Sequence, residues 1–152
     1  MAALRLHDPQ PTPWLAKAAV RILVIDDDAS VTAAIQAILS RRQYEVVVAS
    51  RAHAGIHAFR AAPFDAVLID LFMPGMNGLD TIARIRSKSE VPIIAMSGFR
   101  LRNSLDPAQD FLGLARLRGA TMSLRKPFSS LQLVAAIEHS LGPAPSGEGA
   151  LQ

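Results

Sequence analysis

Five short apolar runs alternate with stretches of helical spacing, and this alternation constrains the chain more than any other feature. Arg21–Ile25 (RILVI) is a short run, apolar after its first residue, that predicts a strand covered on both faces. Residues 29–42 follow with Val31, Ile35, Ile38 and Leu39 at helical spacing. Glu45–Ala49 (EVVVA) is β-branched and predicts a second strand. A helix through Ala61 follows it, with Ser50 as the expected cap, Ile56 and Phe59 inward and Pro63 as its stop. Residues 65–70 (DAVLID) predict a third strand. The turn chemistry of LFMPGMNG then leads into a helix through about Ser87, with Leu79, Ile82 and Ile85 inward. Residues 91–96 (VPIIAM) predict a fourth strand. Asp106 and Pro107 have the chemistry of a cap and first turn for a helix to Arg118, packing through Phe111, Leu114, Ala115 and Leu117. Residues 121–124 predict the fifth strand. Ser129 or Ser130 caps a last helix to Leu141, with Leu131, Val134, Ala135 and Ile137 apolar. Five strand–helix units imply a parallel sheet with helices on both faces.

The chain has 152 residues, half of them hydrophobic, enough for one domain with a sizeable core. Three regions are expected: an extension at residues 1–19, flexible or a short helix; a domain at 20–142; and a flexible Gly/Pro/Ser tail at 143–152. The absence of cysteine excludes disulfides, thiolate metal sites and cysteine nucleophiles, and fits a reducing cytoplasm. No apolar run is long enough for a membrane span, and prolines interrupt the N-terminus where a signal peptide needs a continuous apolar stretch. The net charge of +3 comes from arginine. Arg100, Arg102, Arg116, Arg118 and Arg125 read as solvated surface, and few aromatics are present for base stacking, so neither nucleic acid nor membrane is an expected partner. His7, His53, His57 and His139 have no ligand spacing and are expected on the surface.

The chemistry lies at the strand ends. Asp26, Asp27 and Asp28 follow the first strand, Asp70 ends the third, Ser97 follows the fourth and Lys126 the fifth. Open parallel sheets form their sites beyond the carboxyl ends of the strands. Three clustered carboxylates repel one another unless a cation sits among them. Hard divalent cations such as Mg²⁺ take carboxylate, phosphate and water oxygens. A lysine supplies fixed charge for a phosphoryl oxygen, and a carboxylate can serve as a phosphoryl acceptor. These residue types point to a Mg²⁺-dependent aspartyl-phosphate site.

ILVIDDD, VLIDLFMPGMNG, IIAMSG and LRKPF, in this order and spacing, resemble the bacterial response-regulator receiver domain over residues 21–141. The resemblance implies a flavodoxin-like, doubly wound (βα)5 fold with a five-stranded parallel sheet in the order 2-1-3-4-5. It implies Asp70 as phospho-acceptor, Asp27 as direct Mg²⁺ ligand, and Asp26 as an acid that positions the ion through water. The Phe72 backbone carbonyl completes the protein ligands. Ser97 matches the switch hydroxyl and Lys126 the phosphate-binding lysine, with a cis bond to Pro127. The implied donor is a histidine kinase or histidine-phosphotransfer protein. The chain then acts as a cytoplasmic signalling protein that catalyses only its own phosphorylation and dephosphorylation. No output domain is expected after Leu141. Output is therefore expected through a downstream protein, at residues 98–118 and the fourth strand–helix face.

Some positions depart from the family or have plainer roles. Asp28 is expected only to cap a helix. Ser123 replaces the aromatic that the family often has three residues before the lysine. The segment from Ser97 to Gly119 is longer than usual. Phe72 and Phe99, two residues past Asp70 and Ser97, cannot orient a hydrolytic water by hydrogen bonding. Two rival readings exist. A haloacid-dehalogenase-type phosphohydrolase would use Asp26 as nucleophile, but it leaves Asp70 unexplained and lacks a later acidic pair. A receiver-like adaptor that is never phosphorylated would not need the full set of acids and lysine.

Overall fold

A computed structural model describes residues 19–98 and 111–143, with Met76 described by its backbone alone. The expected cap at Asp106, the arginines at 100 and 102, Phe99, His7 and most of both terminal regions lie outside the described residues.

The elements run β1 (Arg21–Ile25), α1 (Ala29–Ser40), β2 (Glu45–Ala49), α2 (Ala52–Ala61), β3 (Ala66–Asp70), β4 (Phe72–Met73), β5 (Met76–Asn77), α3 (Gly78–Arg86), β6 (Ile93–Ser97), α4 (Phe111–Leu117), β7 (Met122–Arg125) and α5 (Ser130–Leu141). The main sheet is ordered β2-β1-β3-β6-β7, with all neighbours parallel. Numbered among the five principal strands alone, that is the expected 2-1-3-4-5. The addition is a two-residue antiparallel ribbon of β4 and β5, folded over Pro74 and Gly75. Gly75 has φ +79°, the left-handed region that glycine enters at no steric cost.

Alternate side chains of each central strand enter different cores. Leu23, Ile25, Val67, Ile69, Ile93 and Ala95 pack on the side of α2, α3 and α4. Ile22, Val24, Leu68, Ile94 and Met96 pack on the side of α1 and α5. Burial on both faces explains why these strands are apolar without alternation.

Four local expectations are corrected. Ser50 does not cap α2; Arg51 holds the cap position, without a side-chain hydrogen bond. Leu114 and Leu117 of α4 are exposed, while Leu112 and Ala115 face inward. Leu131 of α5 is exposed and Leu133 is buried. Ala135 is exposed and Ala136 buried, while Val134 and Ile137 do face inward. Ser129 caps α5 in a reciprocal arrangement with Gln132.

Candidate functional site

β1, β3 and β6 lie side by side in the sheet, so their carboxyl ends open on one edge. Asp26 leaves the end of β1, where its N–H donates to Ala49 O at the end of β2 (3.1 Å). Asp70 is the last residue of β3 and pairs in register with Met96; Ser97, one residue further, ends β6. Ser97 O accepts from Lys126 N (2.8 Å), which brings the end of β7 beside β6. The ends of four strands distant in sequence, carrying Asp26, Asp70, Ser97 and Lys126, thus lie on one edge because parallel strands share a direction.

One carboxylate oxygen each of Asp26, Asp27 and Asp70 lies within 4.8 Å of the other two. Asp26 and Asp70 are buried and Asp27 is exposed. The two buried acids are held alike. Asp26 Oδ1 accepts from Asp28 N (3.0 Å), and Asp70 Oδ1 accepts from Phe72 N (3.0 Å). Both Oδ2 atoms accept from the Lys126 ammonium, at 2.5 Å for Asp26 and 3.3 Å for Asp70. Burial pushes the Asp70 carboxyl up to about 6, against the opposing pull of Phe72 N–H and Lys126. Burial works against the Lys126 charge, but the Asp26 hydrogen bond and both carboxylates outweigh it and raise the lysine.

With all groups ionised, three acids and one lysine leave a deficit of positive charge. An oxygen-lined, anionic cluster of this kind suits a hard divalent cation such as Mg²⁺. Asp28 stays outside the cluster. Its carboxylate caps α1, accepting from the Ser30 hydroxyl (2.6 Å), Ser30 N (2.9 Å) and Val31 N (3.3 Å), and these bonds hold it below the usual carboxylate range.

Asp27, Asp70 and Lys126 open on a cleft of about 620 Å³ whose apolar wall includes Val31, Phe72, Pro74, Pro127 and Phe128. The Lys126–Pro127 bond is cis, as the resemblance implied. Gly78 allows α3 to start directly behind Asp70, since a Cβ there would meet Leu71 Cα at 2.6 Å and Asp70 O at 2.8 Å. His53, His57 and His139 are exposed, away from the acid cluster.

One contact has no signal in the sequence. The Phe72 ring meets Phe111 of α4 edge to face, with centroids 4.9 Å apart and planes at 83°. The two residues are far apart in the chain, and periodicity had assigned Phe111 only to the core. Phe72 is 37% exposed and Phe111 half-buried.

The geometry agrees with what the chain is similar to. The model of the response regulator receiver domain matches residues 22–138. The DNA-binding response regulator MtrA of Mycobacterium tuberculosis is 35% identical over 121 residues, covering 80% of this chain and 50% of that protein. A transcriptional regulatory protein of Bacillus subtilis, YcbL, is 30% identical over 119 residues, covering 78% of this chain and 50% of that protein. The chain thus spans about half the length of these curated relatives. A receiver-domain crystal structure from Clostridium thermocellum superposes with a TM-score of 0.70 at 28% identity, covering 80% of this chain and 94% of the other. The chemotaxis protein CheY4 of Vibrio cholerae superposes with a TM-score of 0.71 at 24% identity, over 81% and 99% of the two chains, which speaks for the fold alone. This chain belongs to the receiver-domain family of the response regulators of two-component systems.

Proposed function

We propose that Asp70 accepts a phosphoryl group from a phosphohistidine on a histidine kinase or histidine-phosphotransfer protein. An Asp70 carboxylate oxygen attacks phosphorus, the P–N bond to the donor imidazole breaks, and the imidazole keeps the electron pair and takes up a proton. The observation that carries this reading is the Lys126 ammonium bridging two buried carboxylates at the carboxyl edge of the sheet. Asp26, Asp27, Asp70 and the Phe72 carbonyl would hold Mg²⁺. When bound, the ion supplies positive charge to the transferring oxygens and keeps Asp70 ionised. Lys126 then stabilises a phosphoryl oxygen, moving from its carboxylate partners to the added group. Ser97, at the adjacent strand end, donates a hydrogen bond to another oxygen.

Phosphorylation changes the charge at one end of β3 and β6 and so shifts contacts with another protein at the β6–α4 face. Covalent chemistry is confined to the protein's own phosphorylation and dephosphorylation, in the cytoplasm. Incubation with phosphoramidate tests this. Label should enter the wild type only with Mg²⁺ and should be absent from Asp70→Asn. Label retained in Asp70→Asn but lost in Asp26→Asn would favour the hydrolase chemistry, and no label in any form the adaptor.

A further inference from the structure

Helix α4 is tied to the fold at one end and touches the candidate site at the other. At its C-terminal end the Arg86 guanidinium donates twice to Gly119 O (2.7 and 3.0 Å) and once to Ser89 O (3.0 Å). Gly119 adopts φ +115° there, with its α-hydrogens against the Arg86 side chain. Arg118 adds a 4.0 Å ion pair to Asp80 of α3. At the other end, Phe111 packs partly into the core beneath the sheet and presents its ring to Phe72. The edge-to-face arrangement is the favoured one for two aromatic rings, because the positive edge of one meets the negative face of the other.

Phe72 has two attachments to the site. Its backbone N–H donates to Asp70 Oδ1, and its side chain lines the cleft that Asp70 and Lys126 share. A phenyl ring in that wall offers an approaching water no hydrogen-bond partner. Its position, however, is not secured by burial, since more than a third of the residue is exposed. The ring needs a second surface to lean on, and Phe111 provides one.

We propose that Phe111 is a positioning residue for the phosphoryl site: through its edge-to-face contact it holds the Phe72 ring in the cleft wall and so slows hydrolysis of the Asp70 acyl phosphate. The inference rests on the phospho-acceptor reading above. In the hydrolysis, a water oxygen attacks phosphorus, the bond from phosphorus to the Asp70 oxygen breaks, and carboxylate and inorganic phosphate are released. Releasing the Phe72 ring opens the path to that water. The position of α4, through the Phe111 ring, then affects how long the phosphoryl group lasts.

The test loads the protein with phosphoramidate and Mg²⁺, removes the donor and follows the phosphoprotein that remains. Phe111→Ala should shorten the half-life about three- to tenfold, the size of an aromatic-pair coupling. Phe72→Ala should do the same, and the double variant should be no faster than Phe72→Ala, because both changes remove one contact. Phe111→Leu keeps apolar bulk without a ring edge and should also shorten the half-life, while Phe111→Tyr should restore it. Urea midpoints measured alongside keep a folding defect distinct from a lifetime effect. A wild-type half-life in a folded Phe111→Ala or Phe111→Leu would overturn the inference, as would additive effects in the double variant. Failure of the wild type to take label would remove the phospho-acceptor reading and this inference together; a labelled wild type with an unaffected Phe111→Leu would remove the inference alone.

Discussion

At the scale of single residues, the site is a balance of charge in a small volume. Lys126 is the one cation placed on both buried acids among the described residues. Removing it leaves Asp26 and Asp70 facing each other without compensation. Lys126→Ala should lower metal-free stability by about 3 kcal/mol, the usual cost of stranding a buried charge. Urea denaturation measures this, and Mg²⁺ should restore part of the loss. Asp70 predicts a pH dependence. Its folded carboxyl titrates at about 6, above the 3.8 of a free aspartate. Between these values the native state holds more protons than the unfolded chain, so stability falls as pH rises through the window. Metal-free wild type should therefore lose stability from about pH 4 to about pH 6 relative to Asp70→Asn, and Asp70→Asn should be the more stable of the two at neutral pH. Equal pH profiles for the two proteins would contradict the assigned environment of Asp70. The types of these residues and their strand-end positions were legible in the sequence. The sharing of one ammonium by two acids was not, because it depends on the register of four strands.

At the scale of elements, close approach decides what is tolerated. α3 begins directly against the chain that leaves Asp70, and the missing Cβ of Gly78 makes room for it. Gly78→Ala sets a methyl group against main-chain atoms that cannot rotate away, so it should cost about 1–3 kcal/mol. It should also slow labelling of Asp70, since the displaced atoms belong to Asp70 and Leu71; thermal melting and initial labelling rates measure the two effects. Helix α4 shows where periodicity misleads. Leu114 and Leu117 fit an apolar stripe on paper, yet Leu117 is 84% exposed, and Leu112 and Ala115 fill the core. A seven-residue helix with five apolar positions offers more than one inward face, and only the sheet beneath it selects between them. Leu117→Gln should change stability by less than about 0.5 kcal/mol. Leu112→Ala should cost about 2–5 kcal/mol by opening a cavity, which chemical denaturation will separate clearly from Leu117→Gln.

At the scale of the molecule, the five-strand alternation was enough to state the architecture, because apolar runs without alternation fit a doubly covered parallel sheet and little else. The strand order came from the family resemblance and not from periodicity, which is silent on which strands are neighbours. The Phe72–Phe111 contact stayed hidden for the same reason, since it arises from packing between distant segments, whereas the β4–β5 ribbon is a local hairpin whose two-residue strands are too short to show a period. The whole fold also bears the cost of its acid cluster, so a cation that binds only the native state stabilises everything. Mg²⁺ should raise the melting temperature of the wild type and leave Asp27→Ala nearly unmoved, as followed by calorimetry. The central claim is that the phosphoryl group resides on one carboxylate at the end of β3. Reduction with borohydride after phosphoramidate treatment reads this out chemically, because an acyl phosphate of aspartate is reduced to homoserine while free carboxylates are untouched. Peptide sequencing should find homoserine at position 70 in the Mg²⁺-treated protein and aspartate at positions 26, 27 and 28. Homoserine at position 26, or aspartate at all four positions, would contradict the account.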